Sequence, residues 1–133
     1  MKVIVCGSRD YDVEGYIWSL LDFEYSWVED SGDPFIVIEG GAKGADASAA
    51  AWADHKFEYM TPGHGIEHRR FPADWDKFGK QAGYIRNTQM LDEGPDLVLA
   101  FINKPLPESR GTAHMVGIAR AAGVRTVVVE VNH

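Results

Sequence analysis

Apolar positions in this chain gather into short unbroken runs separated by longer amphipathic stretches. Lys2–Cys6 is apolar from Val3 onward, the pattern of a strand buried on both faces. Phe35-Ile36-Val37-Ile38 is a second such run, entered through Gly32-Asp33-Pro34. Asp96–Phe101 is a third and Arg125–Val131 a last one. Between them Val13, Ile17, Leu20, Leu21, Glu24 and Val28 recur at helical spacing and predict a helix over about 13–29. Gly44–Phe57 is rich in alanine, which favours a helix that packs close to a sheet. Lys77–Asp92 reads as a third helix ended by Gly94-Pro95, and Gly111–Ala122 as a fourth ended by Gly123. Tyr59–Asp76, with Pro62, Gly63, Gly65 and Pro72, reads as a long connection holding one short strand near His68–Phe71.

Strands separated by helices of this length predict a parallel sheet with right-handed crossovers. The expected fold is an α/β, Rossmann-like three-layer domain with a mostly parallel sheet, one domain over 1–133. In such sheets ligands sit beyond the carboxyl ends of the strands, where the strand order reverses.

Composition narrows the function. A chain of 133 residues holds one ordinary domain, and 45% hydrophobic with 25% charged residues is the balance of a globular protein rather than a disordered or fibrous one. No apolar run approaches the roughly 20 residues that cross a bilayer, and Met1–Cys6 turns polar too soon for a signal peptide. The single cysteine, Cys6, excludes an intrachain disulfide and ends an apolar run, so a buried thiol and a reducing, cytoplasmic setting are expected. A net charge of −7 disfavours non-specific binding to nucleic acid or anionic membranes but leaves room for a local anion site.

Candidate chemistry is concentrated where the strands end. Gly7-Ser8-Arg9-Asp10 follows the first strand, Glu39-Gly40-Gly41-Ala42-Lys43-Gly44-Ala45-Asp46 the second, and Ser109-Arg110-Gly111-Thr112 closes the loop after Asp96–Phe101. The last two open helices, whose first amides lack intrahelical acceptors and carry partial positive charge, so each is a candidate phosphate seat. Neither matches the P-loop or the dinucleotide fingerprint. Arg9, Lys43 and Arg110 lie in these loops and Arg86 early in the third helix, so the topology brings four cations to one rim. Asp46 and Asn87 are candidates for ribose or base contacts, and Glu39, directly after a buried strand, for acid–base work. Each motif also has a structural reading as a capped helix or surface turn.

In order along the chain, the pieces Val5-Cys6-Gly7-Ser8-Arg9-Asp10, Glu39 through Asp46 with Trp52-Ala53, Phe71-Pro72-Ala73-Asp74-Trp75, Gly79 through Asn87 with Met90, and Ser109-Arg110-Gly111-Thr112 are together specific. They resemble the SLOG superfamily, in particular its YspA-type, cpYpsA-related family of small bacterial and phage proteins. The resemblance implies a Rossmann-like fold that binds a nucleotide or nucleotide-derived ligand, such as an ADP-ribose-like molecule, and frequent assembly into homo-oligomers. The superfamily includes the lonely-guy phosphoribohydrolases, which cleave the base–ribose bond of nucleoside monophosphates. Arg86-Asn87-Thr88-Gln89-Met90 is similar to their helix motif with Asn87 in place of a lysine, and Gly111-Thr112 matches part of their phosphate loop. Ala113, His114 and Met115 follow, with no counterpart of the catalytic glutamate, so for that reaction His114, Glu39 or Asp10 would have to take its place.

Three readings follow. The first is a nucleotide-binding module that senses or sequesters its ligand, with the phosphate on the amides of 40–45 and 110–113. The second is an N-glycosidic hydrolase, and the third a nucleic-acid-processing accessory protein, which the acidic charge and missing basic stripe disfavour. No cofactor or metal is expected: His64 and His68 flank Glu67 in a stretch too rich in glycine and proline for a His-x3-His helix face. His55 and His133 read as surface positions. Trp75 reads as an anchor buried under the long connection, or as a stacking surface for a base, and Tyr84 is open in the same way. Met115, Ile118, Ala119 and Ala122 read as core. Tyr16, Phe23 and Trp27 form a second apolar stripe on the first helix, suited to a contact between copies.

Overall fold

The computed structural model describes residues 1–10, 14–59 and 65–130. Val13, Pro62, Gly63, His64, Val131 and His133, which carry parts of the sequence reading, lie outside the described residues. The elements are β1 (Lys2–Gly7), α1 (Glu14–Ser26), β2 (Phe35–Glu39), α2 (Ala45–Tyr59), β3 (Ile66–Arg70), α3 (Trp75–Phe78), α4 (Ala82–Leu91), β4 (Leu97–Ile102), α5 (Arg110–Ala121) and β5 (Arg125–Glu130). One five-stranded sheet runs in the order β3-β2-β1-β4-β5, with every described pairing parallel. This is the expected three-layer Rossmann-like architecture. The order reverses between β1 and β4, which makes the crevice at their carboxyl ends the place for a ligand.

The continuous apolar runs are explained by burial on both faces. Val3, Val5, Val37, Leu97, Leu99 and Phe101 pack with α1 and α2 through Ile17, Leu21, Ala49 and Trp52. Ile4, Cys6, Ile38, Val98 and Ala100 face the other way, onto Met90 of α4 and Met115, Val116 and Ala119 of α5. The alanines of α2 let its axis approach the sheet, and Trp52, wholly buried, completes an aromatic cluster with Tyr25 and Phe35. Its indole N–H is satisfied by Asp22 Oδ1 at 2.9 Å.

Several boundaries differ from the sequence reading for identifiable reasons. The helix expected over Lys77–Asp92 is broken at Gly79 (φ +57°). Asp74 caps a separate short turn, accepting from the Lys77 amide at 3.1 Å, and a 3-10 turn over Gly79–Gln81 leads into α4. The strand expected near His68–Phe71 is Ile66–Arg70, a full partner of β2. On α1, Glu24 is buried because Arg125 reaches its Oε1 at 2.5 Å. On α5, Met115 and Ala119 are core as expected, whereas Ala122 lies past the helix end and is exposed. Tyr16 and Phe23 of α1 and Trp27 just past its end are exposed, so the expected helix over about 13–29 stops short of Trp27. No helix among the described residues is long and apolar enough to cross a membrane.

Candidate functional site

β1 and β4 stop at the same level, with Gly7 paired to Phe101. The Ser8 amide donates to the Phe101 carbonyl at 2.9 Å, and Ser8 Oγ accepts from the Asn103 amide at 3.4 Å. The start of α2 folds down onto this point. Gly44, at φ +73°, lies so close to the chain of Ser8 and Arg9 that a Cβ there would strike both carbonyl oxygens. The result is a cavity of about 580 Å³ at the topological switch, inside the roughly 300–1,000 Å³ range of small-molecule sites.

One wall is the N-terminus of α5. The first helical hydrogen bond runs from the Ala113 amide to the Ser109 carbonyl at 2.7 Å, so the amides of Arg110, Gly111 and Thr112 precede it. Ser109 stands at the cap position but makes no side-chain cap bond. Its Oγ is buried beside the cavity and has no hydrogen-bond partner among the described residues.

The glycine loop after β2 is arranged differently from the expectation that its amides receive an anion. The Gly40 amide donates to Asp46 Oδ2 at 2.8 Å and the Ala42 amide to the same oxygen at 3.5 Å. The Gly41 amide donates to Glu39 Oε1 at 2.5 Å. Two carboxylates of the chain therefore hold the loop. Asp46, 4% exposed, forms part of the cavity wall. Burial pushes its carboxyl up to about 6, against the Gly40 amide bond and the Arg86 charge, which pull it down.

α4 supplies the opposite wall. Arg86 Nη1 donates to the Gly40 carbonyl at 2.7 Å and its Nε to Asn87 Oδ1 at 3.0 Å. Asn87 Nδ2 donates in turn to the Gly111 carbonyl and to His114 Nδ1, both at 3.1 Å. Asn87 thus ties α4 to the first turn of α5, and the neutral His114 carries its proton on Nε2. Burial lowers the His114 pKa, consistent with the neutral ring. That ring lies 4.5 Å from the Tyr84 ring, centroid to centroid.

Of the residues singled out in the sequence, Gly7, Ser8, Arg9, Asp10, Ala42, Asp46, Arg86, Asn87, Ser109, Arg110, Gly111 and Thr112 line this cavity. Gly40, Gly41 and Lys43 line an adjoining recess of about 370 Å³, which shares Arg9, Ala42, Trp75 and Arg86 with the first. Gly44, Ala45, Glu39 and His114 line neither. Glu39, proposed from sequence as an acid or base, is fully buried and turned toward β3, where His68 Nε2 and Arg70 Nε both meet its Oε2 at 2.7 Å. It braces the loop and the sheet edge. His68 is a residue of β3, in keeping with the strand expected near His68–Phe71. Among the described residues, no group of three or more His, Cys, Asp or Glu side chains is placed to hold a metal. The Cys6 thiol also borders the cavity, and burial raises its pKa far above the usual thiol range, so it is inert.

Trp75, expected as a buried anchor, is half exposed and borders both cavities. The sequence also passed over Lys80 and Lys104 as site residues. Lys104 follows the end of β4 and could have been found by the strand-end rule, whereas Lys80 lies in the 3-10 turn over Gly79–Gln81, which the sequence reading placed inside a helix. Arg9, Lys43, Lys80, Arg86, Lys104 and Arg110, six of the thirteen lysines and arginines, line the two cavities against the carboxylates Asp10, Asp46 and Glu108. Among the described residues none of the six cations makes an ion pair. The site is locally positive in an acidic protein.

The sequence model of the YspA, cpYpsA-related SLOG family matches residues 1–78, more than half of the chain. The chain belongs to that family. It is also 34% identical over 126 residues to the Gene 61 protein of Mycobacterium phage D29, an alignment covering 95% of this chain and 94% of the phage protein. No solved structure matches. SLOG membership points to a nucleotide-related function. The family match runs from β1 through α3 and so includes the Ser8–Asp10 turn, the Glu39–Asp46 loop and Trp75, while α4 and α5 lie beyond it.

Proposed function

We propose that this protein binds a nucleotide or nucleotide-derived ligand at the carboxyl ends of β1 and β4, as a sensing or sequestering module. The observation that carries the reading is the first turn of α5. It places three amides without intrahelical acceptors beside a cavity whose cations make no ion pair among the described residues, with the Ser109 hydroxyl buried next to them and without a partner among the described residues. An oxyanion such as a phosphoryl group seated on this turn accepts from the amides, and from Ser109 once its side chain turns toward the cavity, with Arg9 and Arg110 adding charge-assisted bonds. The loop amides of 40–42 take no part in this reading, since Asp46 and Glu39 already hold them.

A second reading, N-glycosidic cleavage, has one observation in its favour. The Asp46 carboxyl, raised to about 6, borders the cavity and can hold a proton near neutral pH, as protonation of a departing base requires.

Titration calorimetry with the four nucleoside 5′-monophosphates and ADP-ribose tests both. Ser109→Ala removes a hydroxyl that makes no hydrogen bond among the described residues. It is expected to leave the unfolding midpoint unchanged and to weaken the tightest ligand about tenfold, the loss of one hydrogen bond to a charged group. Equal affinity in the variant removes the α5 seat. Free base released in the same incubations, and its absence in Asp46→Asn, would establish cleavage.

A further inference from the structure

The smaller recess is not used by a single phosphoryl group resting on α5. Lys43 is exposed and borders only this recess, on the far side of the cations it shares with the larger cavity. The Gly40, Gly41 and Ala42 amides that border it are committed to Asp46 and Glu39, so the recess attracts an anion through side-chain charge alone. Arg86 uses Nη1 on Gly40 and Nε on Asn87, which leaves Nη2 without a hydrogen-bond acceptor among the described residues and gives a fixed guanidinium between the two spaces. Trp75 borders both spaces, and its indole rests on Gly83, where a Cβ would approach Cη2 to 3.3 Å. The ring is thus packed on the helix backbone while half of its surface stays open.

We propose that the two spaces form one two-ended site for a nucleotide with phosphoryl groups on both its 5′ and its 3′ hydroxyl. One phosphoryl group sits on the first turn of α5, the other lies between Lys43 and Arg86, the ribose bridges them, and the base lies against Trp75. This rests on the nucleotide reading above and adds that a second anionic group is recognised. Two anion seats separated by an aromatic surface select for length as well as charge, because a 5′-monophosphate reaches only one of them.

The test is calorimetry with adenosine, guanosine, cytidine and uridine 5′-monophosphates and the four matching 3′,5′-bisphosphates, on the intact protein and on Lys43→Ala and Arg110→Ala. Both substituted residues are exposed, so both variants are expected to fold, and circular dichroism confirms it. The expected result is a bisphosphate at least tenfold tighter than its monophosphate. Lys43→Ala should erase that preference while changing monophosphate affinity less than twofold, and Arg110→Ala should weaken both. Equal affinities for a monophosphate and its bisphosphate, with both still weakened by Arg110→Ala, overturn the two-ended site and leave nucleotide binding standing. A preference that survives Lys43→Ala also overturns it. Binding of none of the eight compounds overturns the two-ended site, and failure of ADP-ribose to bind as well overturns the nucleotide reading.

Discussion

The guanidinium of Arg86 occupies the space where a Cβ on Gly40 would stand, and its Nη1 donates to the Gly40 carbonyl at 2.7 Å. This contact joins α4 to the loop after β2, across 46 residues of sequence. It sets the position of the one cation shared by both cavities that is fixed by hydrogen bonds at two of its nitrogens.

Gly40→Ala should therefore act on the site more than on the fold. The obstructing group is the end of a flexible side chain, which can swing away at the loss of about one hydrogen bond, roughly 1 kcal/mol. Urea unfolding should show a loss of that size, and nucleotide affinity should fall as far as in Arg86→Ala. Gly7→Ala is the contrast. Its Cβ would strike the Phe101 carbonyl oxygen of the neighbouring strand, which cannot move without opening the β1–β4 ladder. A loss of about 3 kcal/mol is expected there. Equal losses at the two glycines would contradict the difference in what each approaches.

Asp46 should make stability depend on pH. Burial raises its pKa from 3.8 in the unfolded chain to about 6 in the folded one. Between these values the folded state binds more protons than the unfolded state, so the contribution of Asp46 to stability falls as pH rises from about 4 to 6. The difference in pKa corresponds to about 3 kcal/mol. Asp46→Asn keeps an oxygen for the Gly40 amide and cannot ionise. The stability of the variant relative to the parent should therefore rise by about that amount between pH 4 and pH 7 in paired urea titrations. A flat difference across this range would show that the carboxyl is not perturbed.

Glu39→Gln should separate bracing from chemistry. The buried carboxylate accepts from Gly41, Arg70 and the His68 ring, and an amide cannot accept from all three without turning its own N–H groups toward a donor. Breaking this buried set is expected to cost about 3 kcal/mol. Nucleotide affinity, measured by calorimetry well below the unfolding transition, should change less than threefold, since Glu39 borders neither cavity. Loss of binding in a variant that remains folded would return Glu39 to the site.

Much of this protein is legible in one dimension. Apolar runs such as Val3–Cys6 and Leu97–Ile102 can only be strands covered on both faces, and helices between them force a parallel sheet. From that alone the Ser8–Asp10 turn and the Ser109–Thr112 turn fall on one rim, as the structure places them. The break at Gly79 and the exposure of Trp75 were harder to see, because the helical spacing of Lys77–Asp92 is unbroken and Asp74 competes for the same amides through a local cap.

What the tertiary structure alone decided is the direction in which each polar group faces. The amides of Gly40, Gly41 and Ala42 have the same sequence context as those of Arg110, Gly111 and Thr112, namely a polar turn opening a helix. The first set is consumed by Asp46 and Glu39, while the residues of the second line the cavity and their amides precede the first helical hydrogen bond. Glu39 is drawn inward by His68 and Arg70, which are 29 and 31 residues away and are brought alongside only by the parallel register of β2 and β3. A local pattern determines which backbone groups lack a helical partner. The partners they finally take depend on groups remote in sequence, and only the folded chain brings those within hydrogen-bonding distance.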